Sequence, residues 1–218
     1  MIRFKFFIFF CFIILNLASL SYSQNETDNV HNLLSESIKM IDNRMYSDAE
    51  RSINSIIELS PDFKPAIYYR ALSRMHLKKI DLAEKDFLSV LNSGESFPDL
   101  FFYLGLVSEM QEKNTDAINY YSKALTLDPI NSRYHNNRGM IYAKNGEFNL
   151  AFEDVNKAIA IDPQYARAYF NRALYFYYIK KDKKLAINDM KKSKNFYSLQ
   201  KRLAESNLAQ EALSKWMD

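Results

Sequence analysis

Catalysis needs nucleophiles, titratable groups or metal ligands that can converge, and this chain offers few of them. Its three histidines, His31, His76 and His135, lie in different stretches, with no i, i+4 pair and no cysteine beside them. A zinc site needs three or four convergent ligands, so no metal set is legible. His135 falls 34 residues after Phe101 and 34 before Tyr169, which reads as a packing slot rather than a general base. The single cysteine, Cys11, sits in an apolar N-terminal run, so neither a disulfide nor a thiolate nucleophile is expected. Four glycines leave little from which to build a phosphate-cradling loop or a serine elbow. Carboxylate pairs such as Glu109 with Glu112 read as a solvated helix face. The chemistry that does recur is recognition: Arg133 and Asn137 stand four apart, and Arg167 and Asn171 repeat the arrangement. Guanidinium forks and amides on one helix face suit a carboxylate or a peptide backbone, or else the amides tie neighbouring loops together. The sequence is that of a non-catalytic protein with no cofactor.

The elements that would position these groups repeat. ALTLDPINSRYHNNRG at 124–139 returns as AIAIDPQYARAYFNRA at 158–173. In blocks of 34 residues the chain forms five rows, 30–63, 64–97, 98–131, 132–165 and 166–199. One slot is always small (Ser37, Ala71, Gly105, Gly139, Ala173), and a second is alanine (Ala49, Ala83, Ala117, Ala151, with Ala186 one residue late). Bulky residues follow four later at Ile53, Phe87, Tyr121, Val155 and Met190, and Ile56, Val90, Ala124 and Ala158 come three beyond the first four. That is the i, i+4, i+7 face of a buried helix. Pro61, Pro129 and Pro163 then stop the second helix of their rows, because proline lacks the amide donor and disfavours helix in the residue before it. Each row is therefore a helix, a short turn and an antiparallel helix, and the small slots let the axes approach to roughly 8–10 Å. The second row has Glu95 where proline is expected, and the fifth carries an insertion near Lys181–Lys184.

The fixed register of small, alanine and proline slots over 30–199 resembles the tetratricopeptide repeat. The resemblance implies an all-α fold, an α-α superhelix of about five helix-turn-helix pairs that bury their faces by stacking. Residues 200–218 then form a capping helix, with Leu199, Leu203, Leu208, Ala212 and Trp216 expected on its buried stripe. It also implies a concave groove lined by the first helix of each pair, which holds a protein or peptide partner. Carried over row by row, the groove positions are Tyr68, Leu72 and Met75; Phe102, Leu106 and Met110; Arg133, Asn136, Asn137 and Met140; and Arg167, Phe170, Asn171, Leu174 and Tyr177. The clamp by which some members grip a C-terminal carboxylate is incomplete, since Phe102, Leu106 and Asn171 replace its charged or polar members. An apolar groove oriented by Arg and Asn is the expectation instead.

Composition fits a folded chain, at 48% hydrophobic and 25% charged residues. Arg3 and Lys5 precede the apolar Phe6–Leu20 and a small-residue stretch ending at Ser23, the order of a secretory signal over 1–23, with a linker at 24–29. Fifteen residues are short of the roughly 20 that cross a bilayer, so a cleaved signal and a periplasmic or secreted protein are expected rather than an uncleaved anchor. Cleavage would leave 27 basic against 26 acidic side chains, which argues against a nucleic-acid binder. The charge is uneven: residues 26–62 hold eight acids and three bases, and 180–202 hold nine bases and two acids. The lysines at 180, 181, 183, 184, 191, 192 and 194 (Lys180, Lys181, Lys183, Lys184, Lys191, Lys192, Lys194) offer the alternative of an anionic membrane surface as partner. An acidic first pair meeting the basic last pair of another copy would give head-to-tail self-association.

Overall fold

A computed structural model describes residues 28–97 and 99–217. The expected signal, and the linker up to residue 27, lie outside the described residues. Helix is the only regular structure among them. The helices are α1 (28–42), α2 (Tyr46–Leu59), α3 (Lys64–His76), α4 (Ile80–Asn92), α5 (Leu100–Met110), α6 (Asn114–Leu127), α7 (Ser132–Lys144), α8 (Phe148–Ile161), α9 (Ala166–Tyr175), α10 (Lys183–Leu199) and α11 (Leu203–Met217), with a π-helical turn at Phe176–Lys180. No described helix is long and apolar enough to cross a membrane. The chain divides into two compact units, one ending at Ser96 and the other beginning at Phe97.

In the first unit α1–α2 and α3–α4 are helix hairpins. Val30, Leu34, Ala49, Ile53, Ile56 and Ala66 form one buried cluster, and Ala71, Ala83, Phe87 and Val90 are also buried. The polar occupant of a small slot, Ser37, is satisfied inside the core: its hydroxyl donates to the Leu33 carbonyl at 2.8 Å and can accept from Ser52 Oγ, 2.8 Å away. Where the second row lacks its proline, α4 ends instead through Ser93 and Gly94, the latter at φ +76°.

In the second unit α5–α6, α7–α8 and α9–α10 are hairpins and α11 packs on α10. The slots read from the sequence are buried: Ala117, Tyr121, Ala158, Ala173, Ala186 and Met190 are fully or almost fully inaccessible. Gly105 is indispensable to its crossing, because a Cβ there would stand 2.5 Å from Tyr121 Cε1. α6 and α8 end at Leu127 and Ile161, one residue before Asp-Pro in each case.

First helices end on a left-handed residue at a 34-residue interval: Arg44, Lys78, Glu112 and Gly146. Lys181 is the fifth, and it comes 35 residues on. The extra residue is accommodated in the π-helical turn, where the Lys181 N–H donates to the Phe176 carbonyl five residues back. This places the insertion just before Lys181–Lys184, with Lys181 as the turn residue that follows it. The chain turns between α10 and α11, with Lys201 left-handed at φ +56°, so Leu199 closes α10 and is not part of the last helix. Leu199, Leu203 and Leu208 are 77, 69 and 55% exposed, contrary to the expected stripe. The face that packs is Ser206, Ala209, Leu213 and Trp216, with the Trp216 ring stacked on Tyr177 at 4.3 Å.

Candidate partner-binding surface

Several residues expected in a groove belong to the interior instead. In the first unit Tyr68, Leu72 and Met75 are buried. In the second, Phe102 is 3% exposed, packed against Tyr134 with ring centroids 5.0 Å apart. Asn136 and Asn137 are also buried: Asn136 Nδ2 donates to Asn137 Oδ1 at 3.3 Å, and Asn171 Nδ2 donates to Asn136 Oδ1 at 2.9 Å. These amides join α7 to α9, the structural alternative that the sequence left open, because an enclosed amide must find a partner within the protein. His135 is a core imidazole, with Nε2 donating to the Pro129 carbonyl at 3.1 Å and Nδ1 3.0 Å from Asp154.

What remains accessible lies on α5, α7, α9 and the π-helical turn. Arg133 and Arg167 are exposed, and Met140, Phe170, Asn171, Leu174 and Tyr177 are half-buried. Phe170, Leu174 and Tyr177 also pack on the C-terminal core. On α5, Leu106 is half-buried and Met110 exposed. Beside these residues a cleft of about 320 Å³ opens between the α7–α8 hairpin and the end of α9. Met140, Ala143 and Lys144 supply one wall, Phe148 and Phe152 the second, and Asn171, Leu174, Tyr175, Tyr178 and Ile179 the third. The π-helical turn carries Tyr178 and Ile179, which remain 57 and 39% exposed at the mouth opposite Phe148. Lys144 at the rim is held by Glu109 at 3.0 Å. Helical periodicity did not announce this cleft, because two of its lining residues, Tyr178 and Ile179, are carried by the π-helical turn.

The sequence reading also passed over a set of ion pairs. Arg70 forks onto Asp86 (2.9 and 2.8 Å), Arg138 onto Asp154 (2.7 and 2.9 Å), and Arg172 onto Asp189 (2.6 and 3.1 Å). Each spare Nη1 reaches the second helix of the preceding row, at Asn54 (3.1 Å), Ser122 (3.0 Å) and Asn156 (2.8 Å). One side chain thus locks a hairpin and ties it to its neighbour, a fork geometry that arginine alone supplies. The signal was present: Arg70, Arg138 and Arg172 fall on the 34-residue period, as do Asp86 and Asp154, with Asp189 one late. The third row replaces the pair with Leu104 and Tyr120. Burial raises the Asp154 carboxyl's proton affinity, but its bonds and charge interactions with Arg138 and His135 outweigh this and hold it below the usual range. Glu50, bonded to Lys79 at 2.6 Å and Arg74 at 3.0 Å, is lowered in the same way against its own desolvation.

The lysines separate into two groups. Lys180, Lys181, Lys183 and Lys184 are exposed around the turn, and Lys191 and Lys192, with half-buried Lys194, lie about 12 Å farther along α10. Two of them rest over rings of the same unit, Lys180 on Tyr175 and Lys192 on Tyr169. No group of three or more His, Cys, Asp or Glu side chains among the described residues could hold a metal ion.

Comparison with known proteins agrees with this architecture. A tetratricopeptide repeat model matches residues 132–165 and a TPR repeat model matches 110–146. A UDP-N-acetylglucosamine–peptide N-acetylglucosaminyltransferase of Giardia intestinalis is 29% identical over 126 residues, covering 58% of this chain and 8% of that protein. Human serine/threonine-protein phosphatase 5 is 36% identical over 58 residues, 27% of this chain and 12% of that one. The chain therefore spans about a tenth of these two relatives. The crystal structure of YrrB, described as a TPR protein with an unusual peptide-binding site, superposes with a TM-score of 0.61 at 20% identity, covering 82% of this chain and 90% of that chain. Residues 110–165 thus match tetratricopeptide repeats, and the period, the buried slots and the left-handed turns carry the same helix-hairpin architecture through both units.

Proposed function

We propose that the protein is a non-catalytic scaffold that docks a peptide segment of a protein partner on the α7–α9 face of its second unit. The observation that carries this reading is the apolar cleft at the end of that face. Its volume of about 320 Å³ lies in the range of ligand-binding cavities, and its walls are aromatic and aliphatic side chains already held by the fold. Such a pocket takes one bulky apolar side chain, while Arg133 and Arg167, about 10 Å back along their helices, fix the orientation of the chain that carries it. The names of two matched proteins, one peptide-modifying and one peptide-binding, support the same class of partner. The apolar run Phe6–Leu20 supports a place of work outside the cytoplasm.

The test is selection of a displayed library of random twelve-residue peptides on the immobilised full chain, beside Ala143→Trp. Ala143 is an exposed residue of the cleft wall, and an indole there would fill the mouth without entering the core. Peptides sharing a bulky apolar residue should be retained by the wild type and lost by Ala143→Trp. Absence of enrichment, or the same peptides from both, would remove the reading.

A further inference from the structure

Arginine occupies two repeating positions in the second unit, and the two fare differently. Arg138 and Arg172 are consumed by forks onto buried aspartates. Arg133, Arg167 and Arg202 form the other series, spaced 34 and 35 residues apart. The longer second interval is the same extra residue that the π-helical turn absorbs, so Arg202 keeps the series in register. Arg133 and Arg167 are the second residues of α7 and α9, and Arg202 immediately precedes α11.

None of the three is forked onto a buried acid. The Arg133 side chain is 51% exposed, with Asp99 only at the limit of ion-pair distance, 4.0 Å, and that carboxylate accepts the Tyr134 hydroxyl. Arg202 pairs with Glu205, three residues on, through both Nε at 3.0 Å and Nη2, which leaves Nη1 outside the pair, and its side chain remains 38% exposed. Arg167 is exposed, and no carboxylate among the described residues lies within ion-pair distance of it. Aromatic rings also support two of the guanidinium groups. Arg133 lies 4.5 Å over Phe102 and Arg202 lies 5.0 Å over Tyr197, while Arg167 stands beside the Tyr197 hydroxyl. Tyr165 lies within electrostatic range of all three. Stacking leaves the fork edges of Arg133 open while restricting its rotamers, so less entropy is lost when an oxyanion arrives, and at Arg202 an incoming carboxylate meets Nη1 or exchanges with Glu205. The N-termini of α7 and α9 add partial positive charge at the same level.

We propose that Arg133, Arg167 and Arg202 form a ladder that binds an extended acidic peptide segment with carboxylates three residues apart. Packed helix axes stand roughly 8–10 Å apart, and a polyproline II chain advances about 3.1 Å per residue with three residues per turn, so every third side chain faces the same wall and meets the next arginine. The inference rests on the second unit being the partner-binding surface and names the partner's chemistry.

Fluorescence anisotropy with the full chain tests it, using a fluorescein-labelled alanine nonapeptide with glutamate at every third residue. The same peptide with its three glutamates adjacent, and one with glutamine in their place, are the comparisons. The spaced peptide should bind tightest. Each of Arg133→Gln, Arg167→Gln and Arg202→Gln should weaken it about threefold, and the triple variant on the order of thirtyfold, the scale of partly exposed ion pairs. Binding should weaken between about 0.05 and about 0.3 M salt, while Lys191→Gln/Lys192→Gln binds as the wild type. Equal affinity for spaced and adjacent glutamates, an unaffected triple variant, or an equal loss in the lysine variant would overturn the ladder. If the spaced peptide fails while library peptides still distinguish wild type from Ala143→Trp, the ladder falls and the proposed function stands; if neither binds, both fall.

Discussion

Asp154→Asn should be the most damaging single change of charge in the second unit. The carboxylate is 2% exposed and receives Arg138 Nε at 2.7 Å and Nη2 at 2.9 Å, with His135 Nδ1 at 3.0 Å. Asparagine has nearly the same shape but no charge, so it leaves a largely enclosed guanidinium with neutral acceptors alone, the amide oxygen and Ser122 Oγ at 3.0 Å. Breaking a buried pair from one side costs about 3–5 kcal/mol, and the amide oxygen, still an acceptor, puts this case near about 3. For a chain of this size that is a fall in melting temperature of roughly 6–12 °C. Acid gives an independent check. Because the folded carboxyl is held below its usual range, its stabilisation is complete above the unfolded value of about 3.9 and is lost as pH falls through the folded one. The gap between wild type and variant, followed by circular dichroism at 222 nm, should therefore be constant at neutral pH and close below about pH 4. Arg138→Leu/Asp154→Tyr, which copies Leu104 and Tyr120 of the third row, should recover at least half of the loss. A neutral-pH cost under about 1 kcal/mol, or a gap indifferent to acid, would refute the view that these forks hold the repeats together.

Two further outcomes follow from the packing. Gly105→Ala would set a methyl group 2.5 Å from the Tyr121 ring, which is fully buried and fixed through its hydroxyl to Glu109 at 3.2 Å. Overpacking should exceed the gain in helix propensity, costing about 1–2 kcal/mol in urea unfolding, and a neutral result would show that the crossing can relax. Ala143→Trp, which lies outside the core, should melt within about 2 °C of wild type, and a larger drop would mean that its loss of peptides reflects unfolding.

The architecture was legible because its determinants are local and periodic: small slots such as Ala71 and Ala173, the bulky Ile53 and Met190, and the Asp-Pro stops all recur in register. The surface was less so. Whether Tyr68, Phe102 or Asn136 faces solvent depends on how closely the next helix packs, which a 34-residue ruler does not report. The stripe proposed for α11 held only at Ala212 and Trp216, because the turn before Leu203 starts a new helix, and Leu203 and Leu208 face outward where Ala209 and Leu213 pack. Arg138 and Arg172 were within reach, for their aspartates recur with them, but attention to Arg133 and Arg167 concealed that the chain uses arginine in two ways.

The measurement that tests this division most directly compares two triple variants for both melting temperature and retention of library-selected peptides. Arg70→Gln/Arg138→Gln/Arg172→Gln removes the forks, and Arg133→Gln/Arg167→Gln/Arg202→Gln removes the ladder. The first variant should melt far below wild type, while the second should melt within about 2 °C of it and lose the peptides. A ladder variant that unfolds, or that keeps its peptides, would contradict this division.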